Sequence, residues 1–140
     1  MNVERFKEQL LLHESIRLMP YRDTVGKLTI GVGRNLTDVG ISQDEAHYML
    51  THDIVKVSSQ LDSHLPWWRE LSEVRQRVVA DMCFNLGIGG LLKFVNTLAA
   101  VKSGDYTAAA SGMRASKWYS QVGVRGRRLV KMMETDVDVF

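Results

Sequence analysis

Tyr21-Arg22-Asp23-Thr24-Val25-Gly26-Lys27-Leu28-Thr29-Ile30-Gly31-Val32-Gly33 is the one stretch of this 140-residue chain that reads as β-structure. It turns at Gly26 and returns through Leu28 to Gly33, while Pro20 stops any helix from running into it. Everything around it reads as helix. On the N-terminal side Val3, Phe6, Leu10 and His13 recur at spacings of three and four, which predicts a helix over Val3–His13 with Asn2 as N-cap and Glu4 in its first turn. On the other side, after a loop through Asn35 to Gly40, Ser42-Gln43-Asp44-Glu45 is a capping box. The stripe Ala46, Leu50, Ile54, Val57 and Leu61 then predicts a helix of about twenty residues, mostly exposed, as a strut between two lobes would be.

Pro66 restarts the chain at Trp67-Trp68, and Ser72 caps a helix running through Leu86. In it Val74, Val78, Val79, Met82, Cys83, Phe84 and Leu86 are apolar on nearly every side, so it belongs at the centre of a core. Short helices follow: Leu91 to Lys102, Asp105 to Arg114, a turn at Lys117 to Ser120, and a last helix from Val124 to Glu134. One hairpin among helices makes the fold class α+β, mostly α. The expected organisation is a single domain, 1–140, with a small hairpin lobe at about 15–60. A helical lobe, about 1–14 plus 61–140, is joined to it by the long helix.

Composition narrows the function classes. Apolar residues at 45% and charged residues at 24% argue against disorder, and a net charge of +2 does not mark a nucleic-acid binder. The single cysteine, Cys83, can form neither an internal disulfide nor a thiolate-rich metal site. His13, His47, His52 and His64 lack metal-ligand spacing, so no metal and no cofactor are expected. The longest apolar patches fall far short of the ~20 residues of a membrane span, and the N-terminus has no signal-peptide layout.

Candidate chemistry gathers at the hairpin. Glu14 ends the first helix, Asp23 enters the hairpin, and Thr29 lies on its return limb. Two carboxylates flanking a scissile bond are the minimum for glycoside hydrolysis, one protonating the leaving oxygen and the other activating water. On residue types alone the plainer reading is a solvated surface. Gly31 and Gly33 either let a polymer approach the backbone closely or serve strand geometry. Trp67-Trp68 reads as core packing rather than a sugar-stacking platform, and Cys83 as a buried small hydrophobe.

His13-Glu14-Ser15, Tyr21-Arg22-Asp23-Thr24 and Leu28-Thr29-Ile30-Gly31-Val32-Gly33 together resemble the catalytic motif of the phage-type lysozymes. The likeness continues in Gly40-Ile41-Ser42-Gln43-Asp44-Glu45-Ala46, similar to the start of that family's interlobe helix. It continues again in Ser116-Lys117-Trp118-Tyr119-Ser120-Gln121 with Arg125 and Arg128, similar to its C-terminal signature. The resemblance implies a two-lobed, lysozyme-like fold and an endolysin that cleaves the β-1,4 bond between N-acetylmuramic acid and N-acetylglucosamine in peptidoglycan with inversion. Glu14 would be the general acid, Asp23 the carboxylate opposite it, and Thr29 a holder of the attacking water. Gly33, Phe84, Asn85 and Arg125 would bind substrate, Arg125 facing the glutamate. The alternatives are a lytic transglycosylase using Glu14 alone, or a non-catalytic wall-binding module. The expected setting is a phage or prophage protein, monomeric, without nucleic-acid partner or stable membrane insertion. It would be held in the host cytoplasm until a holin-type pore admits it to the wall.

Two structural expectations follow. Catalysis needs Asp23 and Thr29 on one face, which a five-residue loop, Thr24 to Leu28, would achieve by setting them directly opposite. A tight turn at Gly26-Lys27 would instead separate them. Family members commonly carry histidine after the Gly-x-Gly strand, and in the best-known one it pairs with an aspartate on the interlobe helix. Here those positions are Arg34 and Asp53, which are expected to form an ion pair.

Overall fold

A computed structural model of the chain describes residues 1–139. It is a mostly helical α+β structure: an N-terminal helix α1 (Val3–Glu14), three strands, then helices to the end. The chain divides into two compact units, Met1–Met49 and the part from Leu50 on.

In the first unit, Asn2 caps α1 by accepting the Arg5 N–H at 3.0 Å. The strands β1 (Arg17–Arg22), β2 (Leu28–Gly31) and β3 (Arg34–Asn35) form an antiparallel sheet in that order. The hairpin thus starts earlier than Tyr21 and takes in Pro20. Proline is tolerated there because β1 is an edge strand and its register shifts between Arg17 and Tyr21, so no ladder N–H is missed. The third strand carries no sequence signal of its own. Its two residues pair Thr29 with Asn35 and Ile30 with Arg34.

The loop is narrower than expected. Tyr21 pairs with Thr29 and Arg22 with Leu28, and the Asp23 N–H reaches the Lys27 carbonyl at 2.9 Å. Three residues, Thr24 to Gly26, are therefore enclosed, not five. The cause is local. Gly26 takes φ +83° and donates to the Asp23 carbonyl at 3.0 Å, the pattern of a turn followed by a left-handed glycine. The tight pairing of Val25 with Leu28 does not form, but Asp23 faces Lys27 rather than Thr29.

The long helix α2 (Gln43–His64) opens on the capping box: the Ser42 N–H donates to Glu45 Oε1 at 2.9 Å, and the Glu45 N–H to Ser42 Oγ at 3.1 Å. Arg34 does not pair with Asp53. Its Nη1 donates to Glu45 Oε1 at 2.8 Å and to the Gly40 carbonyl at 3.3 Å. Glu45 is the nearer acid because the capping box already turns its carboxylate back over the helix start, two turns before Asp53.

The second unit holds every buried hydrophobic side chain among the described residues, from Val57 and Leu61 to Met132 and Met133. After a 3-10 turn (Trp68–Glu70) comes α3 (Glu73–Leu92), capped by Ser72 and broken at Gly87, where φ is +76°. Val78, Val79, Met82 and Cys83 are buried as the all-round apolar pattern requires, and burial pushes the Cys83 thiol up. Phe84 alone of that set is exposed, at 45%. The helices α4 (Val95–Ser103), α5 (Tyr106–Arg114), α6 (Lys117–Val122) and α7 (Val124–Thr135) complete the unit. Arg75 binds α7's end, donating to the Met133 carbonyl at 2.8 Å while stacking 3.5 Å over the Tyr106 ring. No single described helix is long and apolar enough to cross a membrane.

Two consequences can be measured. α4 meets α5 at Gly112, where a Cβ would stand 2.3 Å from Thr97 Oγ1. Alanine normally favours a helix over glycine by up to about 1 kcal/mol. Thr97, however, is buried and stiff at χ1, so overpacking dominates. Gly112→Ala should lose about 1–2 kcal/mol in urea unfolding, and adding Thr97→Ala should restore part of it. The second concerns acid. Arg34's hydrogen bond, then the Ser42 N–H, hold the Glu45 carboxyl down at about 2. A lowered folded value contributes stabilisation above the unfolded-chain value of about 4.3, lost as pH falls through about 2. An NMR titration of Glu45 should show that low midpoint, and Arg34→Ala should raise it most of the way to normal.

Candidate active site

Glu14 is the last residue of α1 and is exposed. The chain leaves the helix abruptly. Ser15 donates to the Leu11 carbonyl at 3.0 Å and then adopts φ 62°, ψ 172°, a region that side chains other than glycine rarely enter. That elbow turns the backbone into β1 and leaves the Glu14 side chain beside the Gly33 backbone. A Cβ built on Gly33 would lie 3.0 Å from Glu14 Oε2 and 3.3 Å from its Cδ. Gly33 itself has φ +70°, so it is glycine for two reasons, conformation and room. A residue expected to admit substrate thus has the candidate acid as its neighbour. Among the described residues Glu14 has no hydrogen-bond or ion-pair partner.

Asp23 is half-buried and closes its own loop: Oδ1 accepts the Val25 N–H at 3.0 Å and the Lys27 N–H at 2.8 Å. These two bonds fix the carboxylate's orientation and leave Oδ2 without a described partner. Thr29 is buried at 4% exposure, and its hydroxyl donates to the Lys27 carbonyl at 2.9 Å. With its proton so used, the oxygen is left as an acceptor. Thr29 lies across from Tyr21, and Asp23 is two residues beyond Tyr21 on the same strand line. The two side chains are therefore diagonal neighbours on one face of the hairpin. Asp38 secures this loop from outside, pairing with Lys27 at 3.1 Å and with Asn35 Nδ2 at 3.0 Å.

The remaining candidates belong to the second unit. Phe84 and Arg125 line a groove of about 740 Å³ together with Leu50, Ile54 and Leu129. Arg125 is held by Asp81, with Nη2 at 2.6 Å and Nε at 2.7 Å from Oδ1. Sequence reading passed over Asp81, although a lone acid inside the apolar run Val78–Leu86 is the kind of signal that marks such a partner. Asn85 accepts the Trp118 indole N–H at 2.9 Å, which settles the amide's orientation and turns its NH2 outward as a donor. Trp68 is core, at 4% exposure, and its indole N–H donates to Asp62 at 2.7 Å. Among the described residues no group of three or more His, Cys, Asp or Glu could hold a metal ion.

The Ser15 elbow yields a test. Its conformation costs about 1–3 kcal/mol, whereas glycine adds about 0.5–1 kcal/mol of unfolded-state entropy. Ser15→Gly should therefore stabilise the protein by about 1 kcal/mol in thermal or urea unfolding. A loss of stability would show that the backbone there is unstrained.

Known proteins resemble the chain along most of its length. The chain is 28% identical over 91% of its length to the pre-baseplate central spike protein Gp5 of Enterobacteria phage T4, of which it spans 27%. It is 22% identical to probable T4-type lysozyme 1 of Dictyostelium discoideum, over 95% of both chains. It is 27% identical to the SAR-endolysin of Escherichia phage Mu, over 98% of this chain and 80% of that one. The phage lysozyme family model matches residues 12–134, from just before Glu14 to the last turn of α7. With a match over so much of its length, the chain belongs to the phage lysozyme family, a family of peptidoglycan hydrolases.

Proposed function

We propose that the protein hydrolyses the β-1,4 bond between N-acetylmuramic acid and N-acetylglucosamine with inversion at the anomeric carbon. The observation that carries this reading is the pairing of acceptors on the hairpin. Asp23 Oδ2 has no described partner, Thr29 Oγ1 already donates its hydrogen bond to the Lys27 carbonyl, and the two lie on one face. A water that donates one proton to each directs its own lone pair away from both, toward a sugar carbon. In the proposed step Glu14 protonates the glycosidic oxygen as the C–O bond breaks. The water oxygen attacks the opposite face, and Asp23 accepts the water's proton. Phe84, Asn85 and Arg125 bind the polymer. Asn85's outward NH2 suits an N-acetyl carbonyl, and Arg125, oriented by Asp81, supplies a cation.

In the same proposal the enzyme is a monomer that acts on the cell wall from within the host. It stays in the cytoplasm until a holin-type pore opens. The matched spike protein and SAR-endolysin bear names that point to other settings, so lysis of cells expressing the chain, with and without a co-expressed pore, distinguishes these routes.

Glu14→Gln is the direct test, because the amide keeps the shape and has no proton to donate. Turbidity clearance of permeabilised Gram-negative cells should fall by about 10²–10⁴-fold while circular dichroism stays native. Mass spectrometry of peptidoglycan digested by the unaltered protein should find reducing muramic ends. Anhydro ends would establish transglycosylation instead, and the absence of any digestion would leave a wall-binding module.

A further inference from the structure

We infer that Arg34 and Glu45 are positioning residues for Glu14, acting through the backbone of Gly33, an inference that rests on the acid role proposed for Glu14. The chain of contacts is short. Glu14's carboxyl lies against Gly33, close enough that a Cβ there would stand 3.0 Å from Oε2. Gly33 ends a turn, Gly31-Val32-Gly33, flanked by two glycines with φ +70°, and such a turn has little stiffness of its own. Its position is set by what holds its ends. On one side Gly31 pairs with Arg17 in the sheet. On the other, residue 34 pairs with Ile30 in the two-residue strand β3, too short to be firm without side-chain support.

Arg34 supplies that support. Its guanidinium donates to Glu45 Oε1 at 2.8 Å and to the Gly40 carbonyl at 3.3 Å, joining β3 to the loop before α2 and to the helix's first turn. Glu45 is itself fixed by the capping box with Ser42, so the anchor is part of the helix start rather than a free side chain. Removing either partner lets the 31–33 turn shift by tenths of an ångström. Glu14 then loses the surface against which its carboxyl is aligned. Neither residue touches a reacting atom. Their effect falls on the orientation of the acid, which is a kcat effect and leaves polymer binding alone.

The experiment compares Arg34→Ala, Glu45→Gln and Arg34→Lys with the unaltered protein and with Glu14→Gln. Purified Gram-negative peptidoglycan is the substrate, at a temperature where circular dichroism shows each variant folded. Arg34→Ala and Glu45→Gln should each lower kcat on the order of tenfold with KM little changed, and should move the pH profile of kcat. Arg34→Lys should recover part of the loss. The double variant should be no worse than the poorer single one, because both break the same link. The carboxyl carbon resonance of Glu14, read by NMR without substrate, should move in Arg34→Ala and stay put in a surface control such as Lys7→Ala. An unchanged kcat and an unchanged Glu14 resonance in folded Arg34→Ala and Glu45→Gln would overturn the inference. Full activity in Glu14→Gln would overturn the acid role instead, and the resonance would still report whether Arg34 positions that carboxyl.

Discussion

The carboxyl of Glu14 lies against residue 33, where a Cβ would crowd it at 3.0 Å, and the local structure of the first unit is organised around that closeness. On one side of the contact the backbone is permissive, with glycines at 31 and 33 in the left-handed region. On the other it is strained, with Ser15 at φ 62° and ψ 172° directly after the acid. A strained residue persists when its neighbours leave no alternative. Here the neighbour is the sheet: Arg17 pairs with Gly31, two residues beyond Ser15 on one strand and two before Gly33 on the other. A single ladder position therefore fixes both flanks of the Glu14 contact.

The two units are held by different forces. In the second, buried valines, leucines and methionines each contribute about 1.5–3 kcal/mol, and polar bonds such as Arg75 on the Met133 carbonyl finish helix ends. The first unit buries no hydrophobic side chain, and Thr29 is its one buried residue. Its shape is kept by side chains bonding to backbone: Asp23 on Val25 and Lys27, Thr37 on Leu28, Asn35 on Asp38, Arg34 on Gly40. Each such bond is worth about 0.5–1.5 kcal/mol, and each exposed ion pair about 0–1. No one of them dominates stability, yet each decides the position of a particular turn. In such a unit a substitution can disturb geometry well before it disturbs folding.

What the sequence revealed divides along the same line. Helices with caps and apolar stripes were legible: Asn2, Ser42 and Ser72 all cap where expected, and Val78, Val79, Met82 and Cys83 lie in the core. These signals are local, written within four residues of where they act. The α+β class was legible from one hairpin among helices, and the family from three short motifs in order. Features set by distant partners were not. β3 is two residues long, and Asp81's hold on Arg125 spans residues far apart in sequence. Arg34 was rightly read as a paired cation but assigned the wrong acid, because the spacing of a helix does not say which of its turns faces a strand. Ser15's backbone angles have no signal at all in residue type.

The hairpin register shows how a functional requirement and a structural one can be satisfied separately. Side chains alternate along a strand with period two, so bringing Asp23 and Thr29 to one face constrains only the parity of the register. Direct opposition meets that constraint, and so does a shift of two residues. What chooses between them is the loop, and the loop's chemistry belongs to Gly26 and to Asp23 itself. By bonding the N–H groups of Val25 and Lys27, Asp23 shortens the loop to three residues and moves its partner from Thr29 to Lys27. The Lys27 carbonyl that accepts the Asp23 N–H also accepts the Thr29 hydroxyl's hydrogen bond. In the register observed, that hydroxyl's proton is committed and its oxygen turned to accept, so the loop that sets the strand pairing also sets the polarity of the hydroxyl beside the candidate carboxylate.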